Sequence, residues 1–404
     1  MKIGIIGGGA AGFFSALSAK KQFPLAKVII FEKALKVLGK VKVSGGGRCN
    51  VTNATFDSST LAKNYPRGEN FLKKAFQQFN SQSTVDWFEK RSVSLKTYPD
   101  GCIFPLTNDS QTIIDCFLKE ATQLGVEVQL QTPILSLEIK ESKFVLFGRE
   151  QEFMVDRVIV TTGGQPKLEQ LNWLAELGHE IIPPVPSLFT FNMPENPIRE
   201  LMGNVVEETC VKIEGTKLIG KGPLLITHWG MSGPAILQLS AWGARLLETK
   251  KYQFAVLVNW LNETKEEGLR QQIQVVQAEH GAKMIGNLNP FPMTNRLWNF
   301  LLEKSGIQAT TRWKEIGAKS CNKLVNTLLN DRYEVTGKTT FKEEFVTAGG
   351  VSLTEINVKS MESRKVKGLY FAGEIMDIDG ITGGFNFQAA WTTGFIAGKN
   401  VGND

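Results

Sequence analysis

Cysteine is scarce in this sequence and irregularly placed: Cys49, Cys102, Cys116, Cys210 and Cys321 are odd in number and never spaced Cys-x-x-Cys. That excludes a disulfide framework or a structural zinc site as the basis of the fold. Histidine is scarcer still. His179 and His280 fall at predicted helix ends, which leaves His228 as the one imidazole in a glycine-bracketed turn. No apolar run approaches the roughly 18 residues that span a bilayer. The N-terminus, Met1 to Gly7, enters a strand at once with no room for a secretory signal, so a soluble, cytoplasmic protein without a membrane partner is expected. Asp377-Ile-Asp379-Gly begins like a calcium loop but lacks the later oxygen ligands and the closing glutamate, and no metal is expected. A second Gly-x-Gly-x-x-Gly is also missing, which argues against a dedicated nicotinamide domain.

What is present starts with size. A chain of 404 residues buries a large core and accommodates two or three domains. Its net charge of +6 is unevenly distributed: residues 33 to 96 hold twelve Lys and Arg against four acids, an excess of eight positive charges. That span suits a phosphate-bearing partner such as RNA, or is a plain solvated face. DNA is not expected.

Two glycine-rich segments at opposite ends carry the chemistry. At the start, Ile3–Ile6 reads as a buried strand, Gly7-x-Gly9-x-x-Gly12 as a turn, and Phe13–Lys21 as a helix; a second strand, Val28–Phe31, ends in Glu32. In such a β-α-β unit the first glycine permits the turn, the second lets amides approach a pyrophosphate, and the third lets helix pack on strand. Glu32 is placed to bond adenosine ribose hydroxyls. The motif alone does not choose between NAD and FAD. At the end, Gly368 to Gly373 forms a strand running into Glu374, followed by Gly380, Gly383, Gly384 and a helix opening at Asn386. A carboxylate accepts ribityl hydroxyls, while helix N-terminal amides favour the negative charge a reduced flavin carries near N1 and the C2 oxygen. Taken alone the segment has a plainer alternative, a surface hairpin and helix. Paired with Gly7–Gly12 it points to FAD.

Between the two lie further candidates. Ser44-Gly-Gly-Gly-Arg48-Cys49-Asn50 sits where disulfide reductases of this fold carry two redox cysteines; five positions beyond Cys49 stands Ala54, which excludes that route. The loop can still hold the flavin diphosphate, with Arg48 as counter-charge. Cys49 is either a proton donor beside the ring or a small buried thiol. Thr227-His228-Trp-Gly-Met-Ser232-Gly-Pro234 ends a strand and opens a helix, with Ser232 as its cap; His228 either handles protons at the flavin or bonds backbone at a domain junction. The cofactor candidates are Gly7, Gly9, Ala10, Ala11, Gly12, Glu32 and Lys33; Gly45, Gly46, Gly47, Arg48, Cys49 and Asn50; Thr162 and Gly163; and Gly373, Glu374, Gly383, Gly384, Phe385 and Asn386.

Helices are predicted over Asn70–Arg91 (two, broken near Ser81), Asp109–Leu124 and Leu168–Leu177, and strands over Val126–Leu130, Ile134–Ile139, Lys143–Phe147 and Arg157–Val160. Three prolines between Ile182 and Leu188 exclude a regular element and mark a domain boundary. Residues 205–260 read as an antiparallel sheet or barrel, 264–331 as helices, and Tyr333–Phe345 as strand. The expected fold class is α/β: a discontinuous Rossmann-like FAD-binding domain (1–189 and 342–404), an inserted β-barrel-like domain (190–262 and 332–341), and a helical insert (263–331).

Gly7–Gly12, Ser44–Asn53, Thr227–Pro234, Val346–Ser352, Met361-Glu-Ser and Gly368–Asn386 together resemble the BaiN-like or YhiN-like bacterial flavoproteins, also labelled the aminoacetone oxidase family, over nearly the whole chain. The resemblance implies a glutathione-reductase-type FAD domain interrupted by a barrel with a helical insert. It also implies substrates among bile-acid intermediates, amines, or a uridine of large-subunit ribosomal RNA. Relatives usually run from an aromatic-Pro into a Gly-Ser-x-Gly-Asp-Gly loop after Gly163-Gly164, whereas Gln165-Pro-Lys here leads straight to a helix. Three functions follow as expectations: an NAD(P)H-driven reductase of an activated carbon-carbon double bond, a small-molecule oxidase or dehydrogenase, and a non-enzymatic redox-responsive binding protein.

Overall fold

The computed structural model describes residues 1–263, 265–339 and 346–403. The chain divides into two compact units, Met1–Ser187 with Phe341–Asp404, and Leu188–Thr340. The first unit contains strands β1 (Lys2–Ile6), β2 (Lys27–Phe31), β3 (Glu127–Gln129), β4 (Arg157–Val160), β5 (Ile181–Ser187), β6 (Val346–Val351) and β7 (Leu369–Phe371). Among its helices are α1 (Ala10–Gln22), α2 (Gly39–Gly47) and α3 (Phe385–Asn400). Five of the strands form a parallel sheet in the order β7-β4-β1-β2-β3. The four inner strands β7, β4, β1 and β2 read as largely apolar, buried runs because both faces are covered, as parallel sheets require, whereas the edge strand β3 (Glu-Val-Gln) is half-buried. Ile6 pairs with Phe31 on one side and Val160 on the other, and Val160 pairs with Phe371. Four carboxyl ends are therefore level along one edge.

α3 crosses α1 at backbone distance. A Cβ on Gly398 would lie 2.2 Å from the Ser15 carbonyl oxygen, and one on Gly394 would lie 2.7 Å from that of Ala11. Aromatic rings from α1, α3 and the helix Gln111–Leu124 fill the adjoining core, with Phe117 and Trp391 stacked at 5.3 Å and the Trp391 indole donating to the Val51 carbonyl at 2.9 Å. The helix pair expected over Asn70–Arg91 is present as Glu69–Ala75 and Ser81–Glu89, the second capped by Asn80. Small antiparallel sheets of Thr52–Asn53, Leu95–Thr97 and Cys102–Pro105, and of Ser136–Lys140, Lys143–Phe147 and Glu152–Val155, complete the unit. Several of these strands are too short to leave a periodic trace.

One expectation fails at the prolines. β5 runs through Pro183, Pro184 and Pro186 and pairs antiparallel with β6. Ile182 lies opposite Gly350 and Val185 opposite Ala348, so a bulge takes up the extra residue, and a two-stranded ribbon asks for amides from one edge only.

The second unit holds a seven-stranded antiparallel sheet in the order Asp331–Thr336, Gln253–Asn259, Val205–Ile213, Ile219–Ile226, Gly230–Ser232, Thr190–Asn192, Lys338–Thr339. The helix Pro234–Thr249 is capped by Gly233, not Ser232, because Ser232 is still a strand residue paired with Leu225. Helices Glu266–His280, Asn295–Lys304 and Ala318–Leu329 share one apolar core with the sheet, including Trp260, Leu269, Trp298, Leu324 and Tyr333. Buried Asp331 accepts from the Trp260 indole at 3.0 Å and from the Tyr333 hydroxyl, and pairs with Lys304. The strand expected over Tyr333–Phe345 is seen as Asp331–Thr336 and Lys338–Thr339; residues 340–345, with the boundary expected near 342, lie outside the described residues.

His179 links the sheet to pH. Its ring is buried against Phe371 at the end of β7, with Nε2 2.7 Å from the Ser363 hydroxyl and Nδ1 3.3 Å from the Leu174 carbonyl. Burial holds its pKa below the ordinary value; the Leu174 carbonyl and Glu355 pull upward and Lys365 downward. The folded state thus binds the proton less readily than the unfolded chain, so the stability is full above the unfolded pKa of about 6.5 and is lost as pH falls below it. Urea midpoints should fall on acidification from about pH 7 toward 5, and His179→Gln should flatten that fall. An unchanged slope in the variant would refute the assignment.

Candidate functional site

The level edge of the parallel sheet collects the glycine segments of the first unit. After β1 the turn is tied to both neighbours: the Gly7 amide donates to the Phe31 carbonyl at 2.8 Å, and the Thr161 hydroxyl donates toward the carbonyls of Ile6 (3.0 Å) and Gly7 (2.8 Å). Gly12 is required by packing, since its Cβ would lie 2.0 Å from the Gly7 carbonyl oxygen. Gly9 is different. Nothing lies within 4 Å of where its Cβ would be, and as N-cap of α1 it has no side-chain bond, so the helix from Ala10, Ala11 and Gly12 opens without a side-chain cap. Glu32 accepts from the amides of Gly8 (2.7 Å) and Ala34 (2.8 Å), one on each oxygen. Its role here is to fix the turn, and any ribose hydroxyl would use the remaining lone pairs. Lys33 beside it is exposed.

The expected plain loop at 44–50 is partly helix. α2 follows its cap residue Leu38, whose amide donates to the Gly8 carbonyl at 2.9 Å, and kinks at Ser44, after which Gly45, Gly46 and Gly47 have left-handed φ of 57°, 68° and 84°. Gly46 and Gly47 face open space. The Arg48 guanidinium lies 4.4 Å over the Phe104 ring, and its Nε donates to the Gly45 carbonyl. Cys49 is fully buried, and burial pushes its thiol up to about 12 against the pull of Ser44. That is the environment of a packed thiol, not of a proton donor. The Asn50 amide, oriented by its network, donates to the Thr52 and Ile103 carbonyls and accepts from the Gly384 amide at 3.1 Å.

The closing segment completes the edge. Beyond β7 and Gly373, Glu374 accepts from the Thr347 amide on Oε1 (2.8 Å) and from the Lys40 ammonium on Oε2 (2.7 Å). Fully buried Asp379 forms a two-pronged pair with Arg67 and accepts from the Ser187 hydroxyl at 2.6 Å. Burial pushes the Asp379 carboxyl above its ordinary value, opposed by Arg67 and Ser187. α3 opens at Phe385 with Gly384 as cap, one residue before the expected Asn386, because the Asn386 side chain instead clasps Gly380, accepting from its amide (2.8 Å) and donating to its carbonyl (2.9 Å). The Phe385 carbonyl accepts from the Tyr65 hydroxyl and that of Gly383 from Asn53. After β4, the Thr162 carbonyl accepts from Gln165, and Gly163 faces open space.

His228 belongs to the second unit. It is exposed, its ring 3.6 Å from that of Trp229, and its backbone carbonyl accepts from Arg199 at 2.6 Å. Four contributors were not singled out on sequence: Lys40, Thr347, Thr161 and the Arg67–Asp379 pair. On sequence Lys40 and Arg67 register only as charge, and Asp379 only within the closing glycine-rich segment and an incomplete calcium loop. The position of Thr161 directly after a clear strand was the usable signal.

A family model described as the HI0933-like protein Rossmann domain matches residues 1–400. The chain belongs to that family. It is accordingly a flavoprotein oxidoreductase built on an FAD-binding Rossmann domain. It is 27% identical to a 3-dehydro-bile acid delta(4,6)-reductase of Clostridium scindens, over 98% of each chain. It is 28% identical to a ribosomal RNA dihydrouridine synthase of Escherichia coli, over 98% of this chain and 97% of that protein. In fold it is similar to a 3-ketosteroid-delta4-(5alpha)-dehydrogenase of Rhodococcus jostii, with a TM-score of 0.52 and 12% identity over 100% of this chain and 96% of that one. Among the described residues, no helix is long and apolar enough to cross a membrane.

The donor set fits FAD. Two helices, α1 and α3, open on the same unit without side-chain caps, the backbone at Gly9, Gly46, Gly47 and Gly163 is unobstructed, and Glu374 offers a held carboxylate. The glycines of the first turn then separate by test. Gly9→Ala should fold as the parent does yet lose more than about tenfold in FAD affinity, the worth of one hydrogen bond to a charged group. Gly12→Ala should lower stability by at least about 1–3 kcal/mol through overpacking. Spectral FAD titration and urea unfolding read the two effects; equal FAD affinity in Gly9→Ala would contradict the placement.

Proposed function

We propose that the protein is an NAD(P)H-driven FAD-dependent reductase that saturates a carbon-carbon double bond activated by a neighbouring carbonyl. The observation that carries the reading is the convergence of Gly7, Glu32, Thr161–Gly163 and Gly373–Glu374 at four in-register strand ends, in a family of flavoprotein oxidoreductases. The names of two relatives agree on reaction class, since a delta(4,6)-reductase and a dihydrouridine synthase both remove a double bond. Bound FAD would supply two-electron hydride transfer.

The chain's own residues do the holding. The uncapped amides of α1 would hold the diphosphate of bound FAD and those of α3 would favour negative charge on its ring. Glu374 would take ribityl hydroxyls, and the clasp of Asn386 on Gly380 keeps the turn before α3 in one conformation. His228 is our candidate for supplying a proton, because its ring is exposed and its ring nitrogens bond nothing among the described residues. Cys49 drops out of that role.

A second reading, an RNA substrate, is favoured by the exposed Lys73, Lys74 and Lys90. Arg91 does not add to that surface, as it pairs with Glu120 and stacks on Trp87. The decisive experiment reduces the purified holoprotein anaerobically with NADH or NADPH, then mixes it with a cyclic steroid enone, unmodified large-subunit ribosomal RNA, or oxygen. Rapid reoxidation by the enone or the RNA, with a saturated product, is expected. Fast reoxidation by oxygen alone, with peroxide formed, would replace the reductase by an oxidase.

A further inference from the structure

We propose that Lys40 is a positioning residue for the cofactor: it holds Glu374 in the orientation that receives the ribityl chain, and couples the first glycine turn to the end of β7. The inference rests on the reading that FAD binds along this edge.

The geometry is specific. Lys40 is the second residue of α2, and the start of that helix is fixed to the first turn through the Leu38 amide on the Gly8 carbonyl at 2.9 Å. Leu38 itself is buried and has a left-handed φ of 58°, a backbone state that a branched aliphatic residue adopts only where its surroundings impose it. Gly8 is held in turn by Glu32 on its amide at 2.7 Å. The Lys40 stem therefore leaves a rigid anchor, and its ammonium reaches Glu374 Oε2 at 2.7 Å. The other oxygen accepts from the Thr347 amide at 2.8 Å, so the carboxylate is gripped from two sides. Space behind it is closed: a Cβ on Gly164 would lie 2.4 Å from Glu374 Oε1 and 2.6 Å from the Thr347 hydroxyl oxygen. Held in this way, the carboxylate is left with one rotamer and its outward lone pairs.

Charge adds a second reason. FAD carries a diphosphate, and reduction of its ring adds negative charge. An uncompensated Glu374 beside such a ligand repels it, and Lys40 cancels that charge at contact distance. The Lys40 side chain is about half exposed, at 48%, and that of Glu374 is at 18%. The pair is therefore a poor source of fold stability and a good means of aiming a carboxylate.

Lys40→Met and Lys40→Arg test this. FAD affinity is measured by spectral titration of flavin-free protein, thermal stability is measured on the same flavin-free samples, and wild type and Glu374→Gln serve as references. Lys40→Met should bind FAD about ten- to a hundredfold more weakly, matching the range for a hydrogen bond to a charged group. Its flavin-free melting temperature should be unchanged, and Lys40→Arg should recover most of the affinity. Wild-type affinity in Lys40→Met overturns the proposal, as does a loss that Arg fails to rescue and that tracks a lower melting temperature. Failure of the wild type itself to bind FAD would instead sink the functional reading on which the inference rests.

Discussion

The first unit depends on one close contact, the crossing of α3 on α1. With the two backbones in contact where Gly394 and Gly398 carry no side chain, the last helix of the chain lies directly against the first. β7 then takes its place next to β4, and Gly373 comes so near the start of α1 that a Cβ on it would lie 2.8 Å from that of Ala11. Two glycine-rich segments separated by nearly the whole sequence thus share one edge. Any bulk at the crossing would separate them, and the edge would lose its two opposed helix ends together.

Charged groups at this edge are mostly committed to each other before any ligand arrives. Glu32 is fixed by two amides, Glu374 by Lys40 and Thr347, and Asp379 by Arg67 and Ser187. Such preorganisation lowers the entropic cost of ordering a long dinucleotide. It also explains why the basic excess between residues 33 and 96 overstates the free positive surface: Lys40, Arg67 and Arg91 serve internal acids, while Lys73, Lys74 and Lys90 point to solvent.

Legibility in the sequence followed the range of the interactions. The β-α-β start, the helix to Leu124 ended by Gly125, and the closing strand-turn-helix were readable because apolar runs and glycines act locally. The proline-rich strand β5 was not, since its regularity comes from pairing with β6, far along the chain, and from a bulge no local rule announces. The short strands around Thr52 and Leu95 exist only through cross-strand partners. Along the candidate edge, spacing singles out the glycines and Glu374, whereas Lys40 and Thr347 contact Glu374 from elsewhere in the chain and leave no spacing signal.

The central claim, that the two ends of the chain build one FAD site, is tested most directly by ligand discrimination. Flavin-free protein is titrated with FAD, FMN and NAD in parallel. Of the three, only FAD would engage both the Gly7–Gly12 turn, through its adenosine diphosphate, and the Glu374–α3 segment, through its ribityl chain and ring. The account predicts tight, one-to-one binding of FAD and weak binding of the other two. FMN bound as tightly as FAD, or NAD in place of it, would contradict it.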